Sequence, residues 1–433
     1  MASSPTSRRA FGAQLLHIAG IATLALSSSA AVHADDLQDS QGRHARINPV
    51  LHWNTVAAEA YKPTQGFVPL AQSRTFSIVH ASIHDALNAI ERRYAPYTPG
   101  LKSAPRASAD AAVAAAARQV LVQLIPDQAA LVEGAYVRAL STVREGPAKT
   151  AGIATGQAAA LATLARRQAD GADQATQPVY VPKPGAGEYQ FTAPFDFANL
   201  PGWGRVQPFG IVLEEHKLDG PLPLSSREYA RDFALVKDIG QLVSRTRTAE
   251  QSEIAAFWYE DSPLAWNRIA NSVAHKRGLD AWEAARAFTL LNFAMADGFI
   301  AGFEAKYHFR TWRPITAIHA AATDGNTLTE ADPSWQPFLL TPPVPDYPST
   351  HTVLGWAAAE VLTDVFGNRV HYETTSLTLP GVTRSFRGFA QAAQENGLSR
   401  IYAGIHFQHA VRDGRRQGRS IGQAVAEMLA PVR

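Results

Sequence analysis

Cysteine is absent from all 433 residues. Its absence excludes disulfides, thiolate nucleophiles, iron–sulfur clusters and thiolate zinc sites. Methionine is nearly absent too, with three in the chain, one of them the initiator. Few side chains are therefore readily oxidised at sulfur. Neither charge dominates, since 40 Lys and Arg face 38 Asp and Glu. With no long basic run either, a dedicated nucleic-acid surface is not expected. Beyond the N-terminal segment no apolar run reaches the roughly 18 residues a spanning helix needs. The nearest, TVLGWAAAEVLTDVFG, is interrupted by acidic residues. Strand signals are sparse and no internal repeat is visible.

The first 34 residues read as an address. Arg8 and Arg9 precede the apolar, small-residue stretch LLHIAGIATLALSSSAAV, and VHA then leads into Asp35. A charged start, an apolar middle and a small-residue cleavage site predict an export signal removed after Ala34. The arginine pair resembles the twin-arginine type, which exports folded proteins. The expected location is the periplasm or the medium, with no transmembrane anchor after cleavage. Residues 35–433 are expected to form one large helical domain.

Helical periodicity covers most of that domain. SRTFSIVHASIHDALNAIERRY places Phe76, Val79, Ile83, Leu87 and Ile90 at a 3.6-type spacing. SADAAVAAAARQVLVQLI and AKTAGIATGQAAALATLARRQADG are alanine-rich helix formers. Further helical patterns occupy SREYARDFALVKDIGQLV, SEIAAFWYED, PLAWNRIANSVAHKRG and LDAWEAARAFTLLNFAMADGFIAGFEAKYHF, with a final helix in RDGRRQGRSIGQAVAEMLA. Residues 171–224, rich in Gly and Pro, break the pattern. A long irregular stretch in a compact domain is usually functional or a linker. Its aromatics Tyr189, Phe191, Phe195, Phe197, Trp203 and Phe209 would be costly to leave in water, so a packed covering segment is expected.

Three motifs suggest one anion. In KYHFRTWRP, Lys306 and Arg313 are seven apart, which on a helix returns to within about 20° over about 10.5 Å. Both could reach a guest between them, with Pro314 ending the helix near Arg313. The bland alternative is a solvated cationic face shared with Arg310. In PDYPSTHTVLGWAAAEVL, Pro348 stops what precedes it, and Ser349 and Thr350 are good N-cap residues. His351 then falls in the first helical turn, beside free N–H groups suited to an oxyanion and able to move a proton near neutral pH. A plain capped helix would use the same residues. In SRIYAGIHFQHAVRDG, six positions separate Arg400 from His406, which on one helix would point them about 120° apart. A turn at Gly404 would let Arg400 end one segment and His406 open the next, both facing one pocket. Three cations, a helix start and two histidines suit a compact tetrahedral anion. A neutral guest would leave so many buried cations uncompensated.

These motifs, Lys306-x6-Arg313-Pro314, Pro348-Ser349-x-His351 and Ser399-Arg400-x5-His406, resemble in order and spacing the three-part signature of the superfamily joining vanadium-dependent haloperoxidases to type 2 phosphatidic-acid-phosphatase-like enzymes. PVLHWNTVAAEAY, SRTFSIVHASIHDALNAI and LPGWGRVQPFGI are similar to segments of bacterial haloperoxidases. The resemblance implies an all-α helical bundle, with the anion site at a bundle end and carried by residues 280–433. It implies vanadate as cofactor, bound by Lys306, Arg313, Arg400, the Ser349 hydroxyl and the Thr350 N–H, with His406 as metal ligand. His351 would be the acid–base group, and Lys306 would polarise bound peroxide. The implied reactants are hydrogen peroxide, a halide and a small organic acceptor. Phosphate could occupy the same site. Homo-oligomer formation is left open.

Three departures matter. Thr350 stands where the family usually has glycine, and its β-branched side chain would narrow the anion's surroundings. Val344 occupies a place where some haloperoxidases carry an aromatic or histidine thought to influence halide choice. Ala410 stands where the phosphatases often have an aspartate that orients a nucleophilic histidine, with Asp413 as a possible substitute. Asp297 is a candidate ion-pair partner for one of the arginines, with a plain buried acid as the favoured reading. Beside the haloperoxidase reading stand a soluble acid phosphatase working through a phosphohistidine at His406 and an inactive oxyanion-binding relative. The pairs His80/His84 and His406/His409 have zinc-like spacing but no recognisable third ligand, so hydrogen-bonded histidines are expected there.

Overall fold

The computed structural model describes residues 48–62, 66 and 68–432. The expected export signal lies outside the described residues. Residues 47–433 form one compact unit. Among the described residues, thirteen α-helices, a few short 3-10 turns and a single two-stranded hairpin make up the regular structure.

The long helix α9 (Ala281–Phe309) is the axis of the fold, buried along almost its whole length. It begins at a capping box in which Asp280 and Glu283 exchange backbone bonds. Around it pack α2 (Pro69–Ile90), α11 (Thr350–Phe366) and α13 (Gln408–Ala426). The helices α3 (Ala109–Leu124) and α5 (Pro147–Arg166) form a second layer on α2. The chain also forms α6 (Arg227–Ile239), α7 (Ala249–Phe257), α8 (Ser262–Arg277), α10 (Pro314–His319) and α12 (Phe389–Tyr402), with α12 packed on α11 and α7. The hairpin pairs Tyr372–Thr375 with Thr383–Phe386. The 3.6-type spacing of α2 is met with Phe76, Val79, Ile83 and Leu87 fully buried.

Small residues set how closely the helices approach. Gly414, Gly418 and Gly422 recur every fourth position of α13 and face the α11 backbone. A Cβ at Gly418 would lie 2.2 Å from the Val353 carbonyl oxygen, and one at Gly414 would lie 2.8 Å from that of Ser349. Such contacts have no soft neighbour to yield. Gly418→Ala is therefore expected to destabilise the fold by about 3 kcal/mol, at the upper end of ordinary overpacking costs. An unfolding midpoint unchanged in chemical denaturation would show that the two helices can part freely. Because α11 starts the site and α13 follows it, this contact also fixes the site's geometry.

The Gly/Pro-rich stretch 171–224 does pack over the helices. Tyr189, Trp203 and Phe209 are buried, Phe191 and Phe195 are half-buried, and Phe197 is exposed, contrary to expectation. Phe197 packs edge-on against Phe195 of the same loop, at 5.7 Å between centroids. Asp297 of α9 latches the segment. Its carboxylate accepts the backbone N–H groups of Phe209, Gly210 and Ile211 at 2.6, 2.8 and 3.2 Å. Asp297 is thus a loop anchor and not the direct partner of a site arginine.

Candidate active site

The three motifs converge at one end of the central helices. Lys306 lies in the last turn of α9, but α9 stops at Phe309, with Arg310 in the left-handed region at φ 50°. Arg313 is therefore off the helix, in extended backbone as the N-cap of α10. The two cations meet through this turn and not through a shared helical face. Pro314 accounts for the extended geometry at Arg313.

Arg400 sits in the last turn of α12. The chain then turns at Gly404, at φ 77°, where a Cβ would be 2.1 Å from the Gly240 carbonyl oxygen. His406 follows, immediately before Phe407, the N-cap of α13. The turn inferred for the Arg400–His406 interval is present. Ser349 is the N-cap residue of α11, although its hydroxyl makes no capping bond. Instead it accepts from the Thr352 hydroxyl at 2.9 Å, which leaves its own hydrogen to donate. The first helical N–H groups, those of Thr350, His351 and Thr352, have no carbonyl within the helix to bond.

Burial makes the charge pattern decisive. Lys306, Arg313 and Arg400 are 0, 1 and 1% exposed. Lys306 Nζ donates to the carbonyls of Pro345 and Asp346 at 2.6 and 2.9 Å. Two of its three protons are thereby used. Arg313 donates from Nε to the Val344 carbonyl and from Nη1 to that of Ile405, both at 2.7 Å. Arg400 is different, because its buried Nε and Nη2 have no protein partner. Its guanidinium lies over the Tyr259 ring, 5.4 Å from the centroid.

Desolvation and, secondarily, repulsion from Arg313 hold Lys306 well below the usual lysine range. Burial likewise brings Arg400 down to about 10. The carboxylate within this group is Asp346, fully buried and pushed up to about 6 by desolvation despite Arg313. Two of the three cations, Lys306 and Arg313, thus face this carboxylate, and Arg400 has none. An uncompensated buried ion costs several kcal/mol, so the arrangement is stabilised by a multiply charged anion.

Both histidines are neutral here. His406 Nε2 lies 3.0 Å from Arg313 Nη1. Arginine can only donate, so Nε2 accepts and the ring proton is on Nδ1. Desolvation, then Arg313, keeps His406 well below its ordinary value. His351 is half-buried, with Nε2 3.2 Å from the Glu260 carbonyl. A carbonyl only accepts, which leaves the proton on Nε2 and the lone pair on Nδ1. Desolvation, then repulsion from Arg400, lowers its basicity. Glu260 and Tyr259, at the α7–α8 junction, therefore line a site expected wholly from residues 280–433.

The Thr350 side chain does not crowd the anion cradle. A Cβ at Gly302 would be 2.7 Å from the Thr350 methyl, so that methyl packs into the notch Gly302 leaves in α9. Thr350→Gly is expected to change oxyanion affinity by no more than about threefold, below 1 kcal/mol. It should lower stability by about 1 kcal/mol through the lost methyl packing and the added chain entropy. Titration calorimetry checks the first expectation, and a tenfold gain in affinity would show that Thr350 does obstruct the anion.

The other sequence candidates lie elsewhere. Asp413 accepts from the Tyr347 hydroxyl at 2.9 Å and pairs with Arg412, and does not stand in beside His406. His409 is committed to Asp232 at 2.9 Å, so it does not share a ligand with His406. His80 bonds Asn54 and His84 bonds the Ala95 carbonyl. Among the described residues no group of three His, Cys, Asp or Glu side chains could hold a metal ion. Sequence reasoning missed Asp346, whose only signal was an acidic residue three before Ser349.

Residues 286–432 match the family model of the vanadium chloroperoxidase second helical-bundle domain. The vanadium chloroperoxidase of Curvularia inaequalis is 24% identical over 286 aligned positions, covering 50% of this chain and 46% of that protein. The chain thus spans about half the length of this curated relative. A solved bacterial vanadium-dependent iodoperoxidase is 27% identical, with a TM-score of 0.77 over 90% of this chain and 98% of that one. A holo-type bacterial vanadium-dependent chloroperoxidase shares the fold at 16% identity, with a TM-score of 0.70 over 85 and 94% of the two chains. With the all-α bundle, the ordered motifs and the converged cations, these likenesses support the vanadium haloperoxidase family for this chain.

Proposed function

We propose that the protein is a vanadate-dependent haloperoxidase that uses hydrogen peroxide to oxidise halide to hypohalous acid, which then reacts with a small organic acceptor. The observation carrying this reading is the surplus of buried cations, above all Arg400 with two unpartnered donors, around the start of α11. Lys306, Arg313, Arg400, the Ser349 hydroxyl and the Thr350 N–H would hold the oxygens of vanadate, and His406 Nε2 would ligate its metal. The donor set fits, since it is rich in charged N–H groups and has one neutral imidazole with its lone pair inward. When bound, vanadate supplies a Lewis acid that activates peroxide toward halide attack.

The chain's own part is placement. Lys306, pinned by two carbonyls, keeps one proton for the guest oxygens. His351, neutral and at the rim, takes a proton from incoming peroxide at Nδ1 and returns it to a leaving oxygen. The Gly/Pro-rich segment, latched by Asp297, covers the helices at the site's side. His406→Ala is expected to lower vanadate affinity by well over tenfold; unchanged binding would remove His406 from the ligand role.

One observation keeps the phosphatase reading alive. Asp346 beside His406 resembles the carboxylate support a nucleophilic histidine needs. In that reaction Nε2 attacks phosphorus, the ester P–O bond breaks, and His351 takes a proton from the phosphate monoanion at Nδ1 and passes it to the departing alcohol. The two readings separate in one assay of stripped protein. The haloperoxidase reading predicts bromination of a phenol indicator only when peroxide and orthovanadate are both present. Phosphate-ester cleavage blocked by vanadate, without oxidation of iodide, bromide or chloride, would overturn it. Export through a twin-arginine signal would let the protein fold before leaving the cytoplasm, and we propose it on the N-terminal pattern alone.

A further inference from the structure

The aspartate missing after His406 has a spatial replacement. Ala410 is the position from which a carboxylate would be expected, and it is apolar and fully buried. Asp346, from the loop before α11, instead brings Oδ1 to 2.8 Å from His406 Nδ1. The contact lies off the N–H axis. His406 Nδ1 and both Asp346 oxygens lack an aligned hydrogen-bond partner. A fully buried carboxylate with no aligned donor is costly, and small ring rotations commonly align such contacts once a site is filled. On the other side of the ring, Arg313 Nη1 donates to Nε2 in the anion-free site, a bond that a guest at Nε2 displaces, so that Asp346 is then the remaining support of the Nδ1 proton. The loop itself is held by the Asp346 N–H, which donates to the Thr311 carbonyl at 2.8 Å, and by Lys306 on the Asp346 carbonyl. The loop is thus braced independently of the carboxylate.

We propose that Asp346 is the positioning residue of this site, holding the His406 proton on Nδ1 so that the Nε2 lone pair faces the oxyanion cradle. The proposal rests on reading the cavity as an oxyanion site, and it applies equally to a ligating and to a nucleophilic His406. A histidine presented this way needs a partner on its second nitrogen, and removing such a partner commonly costs 10–100-fold in affinity. Plain electrostatics predicts the opposite sign. Deleting a carboxylate beside Lys306 and Arg313 should strengthen anion binding.

The test uses full-length, vanadium-free protein labelled with ¹⁵N-histidine, with the His406 signal identified by its loss in His406→Asn. Long-range ¹H–¹⁵N correlation reads the tautomer directly. Wild type is expected to carry the proton on Nδ1. Asp346→Leu, which removes the acceptor at similar volume, is expected to lose that preference when inorganic phosphate occupies the site, and to bind orthovanadate and inorganic phosphate about tenfold or more weakly. Asp346→Asn, which keeps an acceptor oxygen, should retain most of the preference. A wild-type proton on Nε2, or an Asp346→Leu variant with unchanged tautomer or equal or tighter anion binding, overturns the proposal. Should the leucine variant not fold, Asp346→Ala takes its place with the same two readouts and the same overturning results. A protein without affinity for vanadate, whose phosphate binding and Nδ1 proton are nonetheless weakened in Asp346→Leu, would sink the haloperoxidase reading while upholding the role of Asp346.

Discussion

Replacing His351 with alanine is expected to slow turnover by roughly 10²–10⁴-fold, the range proton transfer by a positioned side chain contributes. Oxyanion affinity should stay within about threefold, or less than 1 kcal/mol. The split follows from where the ring sits. His351 is half-buried, anchored by Nε2 to the Glu260 carbonyl, and its lone pair is on Nδ1. It is uncharged because burial and Arg400 oppose its protonation, so its loss removes no cation from the cradle. Steady-state rates and calorimetric titration on one preparation check both halves. A fully active variant would show that another group moves the proton.

Arg400→Ala is expected to act in two opposite directions. Removing one member of a buried, hydrogen-bonded charge pair costs about 2–5 kcal/mol. That corresponds to a loss of vanadate affinity of about 30-fold to several thousandfold. Without anion, however, Arg400 is a buried cation whose Nε and Nη2 have no partner. Its burial and its repulsion from Arg313 both oppose its charge. The anion-free variant should therefore unfold at an equal or higher temperature than wild type. Weaker binding with a raised or unchanged midpoint is expected. Unchanged affinity would mean that the unpartnered donors do not face the guest.

Much of this site was legible because its parts are local. The Pro348–Ser349 pair marks a helix start wherever it occurs, and α11 begins at Thr350 as read. Gly404 permits the turn that brings Arg400 and His406 together, and it adopts a positive φ. What escaped depends on tertiary contact. Arg310 adopts the left-handed region, so Lys306 and Arg313 converge through a turn that helical geometry did not foresee. Asp346 shows no spacing that pairs it with His406, 60 residues on, because folding alone brings them together. The fit of Thr350 against Gly302 is likewise a contact between two helices, invisible from either motif. Asp297 was singled out, yet its partners are three backbone N–H groups that side-chain reasoning cannot supply. The glycines at 414, 418 and 422 did carry a readable four-residue spacing, which signals a close helix pair.

The most direct measurement is a crystal structure of the full chain soaked in orthovanadate, with the metal located by anomalous scattering. Vanadium is expected within bonding distance of His406 Nε2, its oxygens met by Lys306, Arg313, Arg400 and the first turn of α11. Vanadium seated elsewhere, or a cradle that stays without it at saturating concentration, would contradict the account.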